Sequence, residues 1–162
     1  MKIVNIGIIV YSKTGNTLSA AQKLQEKLVA EGHAVNIEQI TIAGEASPGK
    51  KDFQFTAVPD PDLYEAIIFG APVHAFSLCP VMEDYLKQLT SLQGKKVAFL
   101  VTKQLPFNWT GGSRTVGQMK KLCEDKGAEV LGSGIVICSK SRWDATMKSA
   151  LESLSKYYGR AD

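Results

Sequence analysis

An apolar run that stops in a turn of hydroxyls and glycine, and then opens an amphipathic helix, leaves a chain few folds to choose from. Here the run is Ile3 to Val10, apolar apart from Asn5 and Gly7, and the turn is Tyr11-Ser-Lys-Thr-Gly-Asn-Thr17. A strand whose apolar residues do not alternate is covered on both faces, as in a parallel sheet between helix layers. From Thr17 to Glu31 the residues Leu18, Ala21, Leu24, Leu28 and Val29 recur at helical spacing, and Gly32 stops the pattern. The start of such a helix exposes unpaired amides and the positive end of the macrodipole. Gly15 allows a tight turn and close approach of a ligand, Ser12, Thr14 and Thr17 offer hydroxyls, and Lys13 adds a charge. Two readings of the turn stand: a phosphate cradle built of neutral donors, or a capped strand-to-helix junction holding nothing. Neither G-x-x-x-x-G-K-[ST] nor G-x-G-x-x-G occurs here, so a nucleoside-triphosphate loop and a dinucleotide fingerprint are both excluded at this turn.

Further along, Ala34–Ile40 reads as an outer strand, Ala66–Ala71 as a buried strand cut short by Pro72, Lys96–Thr102 as a fourth strand and Glu129–Cys138 as a fifth. Pro80 opens a helix striped by Val81, Tyr85, Leu86 and Leu89. Val116, Met119, Leu122 and Cys123 mark another helix, ending near Gly127, and Trp143 to Tyr158 a last one. Ala43–Pro61, rich in Gly, Pro, Ser, Lys and Asp, reads as an irregular surface loop. Strands alternating with helices over 162 residues predict one doubly wound α/β domain spanning residues 1–162.

The hexapeptide Ser12-Lys-Thr-Gly-Asn-Thr17, in its place after the first strand, resembles the phosphate loop of the flavodoxin-like proteins, and later segments follow in that family's order over nearly the whole chain. The resemblance implies FMN as cofactor and a three-layer, five-stranded parallel sheet in the order 2-1-3-4-5. In such sheets ligands bind beyond the carboxyl ends of the strands, where the strand order reverses. Three chemically loaded loops converge there. The first holds Ser12, Lys13, Thr14, Gly15, Asn16 and Thr17. The second offers Pro72, Val73, His74, Ala75 and Phe76, with Phe76 placed to stack on the ring and His74 either to hydrogen-bond it or to face solvent. The third, from Thr102, Lys103 and Gln104 through Phe107 and Trp109 to Gly111 and Gly112, resembles the family's aromatic-bearing loop. Trp109 is the first choice for the ring contact and Phe107 the second, with packing on the third helix the alternative for Phe107. The paired glycines would let backbone amides reach the ring's pyrimidine oxygens.

Other users of this scaffold are excluded. A receiver domain needs acids where Ser12, Lys13 and Pro72 stand, and a C-x5-R phosphatase fails because Tyr85 and Asp144 occupy the sixth positions after Cys79 and Cys138. A net charge of +3, evenly spread, gives no case for nucleic acid. Three cysteines with no C-x-x-C suggest reduced, buried thiols and a cytoplasmic chain, and no apolar stretch reaches the roughly 18 residues that span a bilayer. Lys13, Lys103 and Arg114 replace the acidic third loop of electron-carrier flavodoxins, and positive charge near the ring raises its potential. The expectation is therefore an FMN-dependent NAD(P)H oxidoreductase acting on a quinone or similar acceptor. A one-electron carrier serving a redox partner protein, and a flavin-binding partner module without catalysis, are the alternatives.

Overall fold

The computed structural model describes residues 2–47, 50–107 and 110–161. Five parallel strands, β1 (Asn5–Val10), β2 (Ala34–Gln39), β5 (Ala66–His74), β7 (Lys96–Lys103) and β8 (Glu129–Ile137), lie in the order β2-β1-β5-β7-β8. Counted along the chain this is 2-1-3-4-5, as the sequence implied. Period-two side chains divide the core into two layers. Ile6, Ile8, Val10, Ile68 and Leu100 point to the face covered by α1 (Asn16–Ala30) and α4 (Trp143–Ser155). Ile9, Tyr11, Ile67, Phe69, Phe99 and Val101 point to the opposite face, against α2 (Pro80–Gln88) and α3 (Gly112–Asp125). Both faces of β1 are filled, which is why its sequence does not alternate. The closing helix ends at Ser155, short of the expected Tyr158.

The expected irregular loop at 43–61 is corrected. Residues Thr41–Ser47 (β3) and Lys50–Ala57 (β4) form an antiparallel hairpin, followed by a 3-10 turn at Pro61–Leu63. The deciding signal is the alternation Phe53-Gln54-Phe55, which places Ile42, Phe53 and Phe55 against the core beside buried Ala46, while the polar residues between them face out. Gly44, at φ +93, sits in the ladder where a Cβ would lie 2.2 Å from the Asp52 carbonyl oxygen. This hairpin stands where a doubly wound crossover ordinarily carries a helix, and it covers Tyr11, Ile40 and Tyr64 on the α2–α3 face.

A second correction concerns Pro72. The strand continues to His74, and Pro72 pairs in register with Thr102. The last partner on the β1 side is Gly70, so Pro72 lies where that side of the ladder is already open and its missing N–H costs little. β5 then turns back as β6 (Ser77–Leu78), with Val73 opposite Leu78 and His74 opposite Ser77. Ala75 (φ 50) and Phe76 (φ 64) make the two-residue turn. That geometry favours Asn-Gly, and each non-glycine residue held there costs about 1–2 kcal/mol. Packing compensates, since Gly111 comes so close that a Cβ there would lie 2.4 Å from the Phe76 carbonyl, and the Leu78 amide donates to Gln118 Oε1 at 2.8 Å.

Candidate functional site

The ends of β1, β5 and β7 bring the three loops together. Cavities of about 40, 150 and 160 Å³ adjoin one another there, and they share Val73 and Gln104 among their walls. Among the described residues, no acidic one lines any of the three.

The first loop is held from within. The Ser12 hydroxyl accepts from the amides of Gly15 (3.1 Å) and Leu18 (3.2 Å). Thr17 is buried, and its hydroxyl bonds the buried Thr102 hydroxyl at 2.8 Å. Ser12 and Thr17, expected as ligand donors, thus shape the loop and tie it to β7. With Leu18 bonded to Ser12 and Ser19 to Gly15, the amides at the mouth are those of Asn16 and Thr17, which find no acceptor among the described residues. Gly15 caps the helix at φ 94, and nothing lies within 4 Å of where its Cβ would be. An open space over a left-handed glycine, faced by unpaired amides at a helix N-terminus without a first-turn acid, is a cradle for a phosphate. Lys13 and Thr14 stand exposed at its rim.

The third loop is wound around a buried charge. Lys103 is only 8% exposed, and its ammonium donates to the Phe107 carbonyl at 2.9 Å and to Thr110 Oγ1 at 3.4 Å. The Thr110 hydroxyl in turn bonds the Leu105 carbonyl at 3.1 Å. No carboxylate among the described residues pairs with Lys103, and burial pulls its pKa below the ordinary lysine value. Its ammonium lies beside Gly112, at the positive end of α3, whose first turn also carries no acid. His74 is half-buried, and its pKa is lowered first by burial and then by the Lys13 charge. Two helix N-termini and two lysines therefore give this end of the sheet a positive field.

Of the other expected residues, Pro72 and Val73 form the wall between two of the cavities, and Gln104 lines all three. Ala75 and Phe76 are exposed at the tip of the β5–β6 turn. Phe107 is 54% exposed, so it is not buried against α3. Gly111 faces the Phe76 backbone and so also serves a contact between the two loops. Trp109 lies outside the described residues. Cys79 and Cys123 are buried as expected, but Cys138 is only half-buried. Two features escaped the sequence reading: the burial of Lys103, which a basic residue at a strand end does not advertise, and the burial of Tyr11, which reads there as the first residue of the turn.

A flavodoxin-domain family model matches residues 7–126, and the chain belongs to that family. Among solved structures, the flavodoxin of Megasphaera elsdenii in its two-electron reduced form is 24% identical, with 93% of this chain and 98% of that one covered and a TM-score of 0.66. The Fusobacterium nucleatum flavodoxin bound to flavin mononucleotide is 14% identical, covering 96% and 97% with a TM-score of 0.68. A Lactobacillus acidophilus flavoprotein in complex with FMN is 16% identical, covering 91% and 98% with a TM-score of 0.63. No described helix is long and apolar enough to cross a membrane.

Proposed function

We propose that this protein is an FMN-binding flavoprotein of electron transfer, working as a reductase that takes electrons from NAD(P)H and delivers them to a quinone or a similar small acceptor. FMN supplies reversible one- and two-electron redox chemistry. The chain's residues fit it: the Asn16 and Thr17 amides over Gly15 receive the phosphate, with Lys13 at the rim. Phe76 and the Lys103-centred loop flank the ring, and Trp109 is the sequence's first choice for a ring contact. Titration of the apoprotein with FMN and with riboflavin checks the cradle, because only FMN carries the phosphate. FMN is expected to bind at least about a hundredfold more tightly, as charge-assisted hydrogen bonds contribute roughly 1.5–3 kcal/mol each. Equal affinities would remove the phosphate from the first loop. Replacing Trp109 by Ala is expected to weaken FMN by about 1–3 kcal/mol through lost stacking and apolar burial, read in the same titration.

The observation that favours a reductase over a low-potential carrier is the buried Lys103 with no carboxylate partner among the described residues. A fixed positive charge stabilises the reduced, more negative cofactor and so raises its potential. A second reading has one observation of its own: Phe76, Leu105 and Phe107 are each close to half exposed around the site, a rim suited to docking a redox protein. Anaerobic addition of NADPH or NADH to the FMN-loaded protein separates the two. Bleaching of the flavin band, with recovery on adding a quinone, is the reductase outcome. A flavin that only dithionite reduces is the outcome for a carrier.

A further inference from the structure

The 160 Å³ cavity is not simply more of the flavin cradle. Asn16, Thr17 and Thr102 line the cradle cavity at the mouth of α1, and Lys103 lines it from beside the start of α3. The larger one draws its walls from Tyr11, Ala46, Cys79 and Val81, all members of the core layer on the α2–α3 face. Lys13, Thr14, Pro72, Val73 and Gln104 are common to both, so the two cavities adjoin along the Pro72–Val73 segment and the first-loop rim. One wall is Ala46 of β3, so the hairpin that replaces the crossover helix helps to close this space.

Its chemistry is specific. The lining is mostly apolar, and a dry apolar cavity of about 150 Å³ is known to admit a benzene ring. One polar side chain stands out: Tyr11 is 9% exposed, and its hydroxyl has no hydrogen-bond partner among the described residues. That hydroxyl is not sealed in the core but accessible, where the cavity lets it donate to an acceptor. Burial, with a smaller contribution from the nearby Cys79, raises the Tyr11 pKa, so the hydroxyl remains a neutral donor at physiological pH. Lys13 and His74 at the rim, and the lack of any acid in the lining, disfavour a cationic ligand and favour an oxygen with partial negative charge.

We propose that this cavity is a second ligand subsite, separate from the flavin cradle, which holds a planar single-ring carbonyl compound with its oxygen on the Tyr11 hydroxyl. Resting on the function proposed above, it places the ring of the electron acceptor across the Pro72–Val73 wall from the cofactor, so that donor and acceptor are held together without competing for one space. Binding alone tests the assignment. Acetophenone and ethylbenzene share shape and differ in the carbonyl, and both can be titrated into the FMN-loaded protein by ligand-observed NMR. Acetophenone is expected to bind saturably and about three- to tenfold more tightly than ethylbenzene, the effect of one neutral hydrogen bond. Tyr11→Phe should erase that preference, and Ala46→Leu, which fills the cavity, should abolish binding of both. The FMN dissociation constant should stay within about twofold in each variant. The assignment is overturned if the two ligands bind alike, if neither saturates, or if FMN excludes acetophenone or is itself weakened by Ala46→Leu, since the cavity would then belong to the flavin. Should Ala46→Leu fail to fold, the conservative Tyr11→Phe decides. If the protein holds no FMN, the proposed function falls, and the same titrations on the FMN-free protein still decide the cavity.

Discussion

Gly111→Ala is expected to destabilise the protein by about 2–5 kcal/mol, whereas Gly15→Ala is expected to cost only about 1–2 kcal/mol of stability yet to weaken FMN binding on the order of a hundredfold. Both glycines cap a helix in the left-handed region, at φ 99 and φ 94. Both substitutions therefore carry the same backbone strain of about 1–2 kcal/mol. They differ in what the new methyl group meets. At Gly111 it would lie 2.4 Å from the carbonyl carbon and oxygen of Phe76, main-chain atoms of a turn already held at positive φ. Neither side yields cheaply, and overpacking adds about 1–3 kcal/mol. At Gly15 the methyl meets nothing within 4 Å. That open space is where the phosphate belongs, and relaxing the strain would turn the Asn16 and Thr17 amides away from it. Losing about 3 kcal/mol of charge-assisted contacts corresponds to roughly two orders of magnitude in affinity. Urea melts of the two apoproteins and FMN titrations of both check the crossover. A Gly15→Ala protein that binds FMN normally would separate the first loop from the phosphate.

These two glycines also show where the sequence was legible. The first loop could be read because its chemistry is local: strand, turn and helix start are contiguous, and each residue type has one physical use there. The parallel sheet could be read for the same reason, since runs such as Ala66–Ala71 and Lys96–Thr102 fill both faces of their strands. What depends on distant partners was hidden. The role of Gly111 is set by Phe76, 35 residues earlier in the numbering. The turn at Ala75–Phe76 lacks the asparagine or glycine that announces its geometry, because packing on α3 enforces it. The β3–β4 hairpin carries charged and small residues on its outer side, so its composition resembled that of a loop, and only Phe53 and Phe55 betrayed the alternation. Most of the first two loops' expected site residues line the adjoining cavities, and Ser12, Thr17 and Gly111 also make contacts that hold the loops in place.

Lys103→Met is expected to leave the apoprotein as stable as the parent, within about 1 kcal/mol, while lowering the midpoint potential of bound FMN by an amount on the order of 50 mV. The substitution removes two hydrogen bonds, to the Phe107 carbonyl and the Thr110 hydroxyl, each contributing about 1 kcal/mol. It also removes a buried cation that no carboxylate offsets, and gives back an apolar chain of similar length, so the two effects nearly cancel. The pH dependence carries the sign of that burial. A lysine whose pKa is lowered in the folded state binds fewer protons than in the unfolded chain, over the window from its depressed value up to the ordinary 10.5. Stability from this residue therefore rises with pH through that window, and the rise should vanish in Lys103→Met. The potential responds because the reduced cofactor carries more negative charge. A fixed charge about 8 Å away in an effective dielectric near 20 contributes about 2 kcal/mol, less once salt screens it. Lys103→Arg should keep most of the potential, since it keeps the charge, although the bulkier fork fits the Phe107–Thr110 turn less well. Thermal melts between pH 7 and 10, with spectroelectrochemical titration of the FMN-loaded proteins, read both effects. An unchanged potential in Lys103→Met would remove the main argument for a reductase over a low-potential carrier.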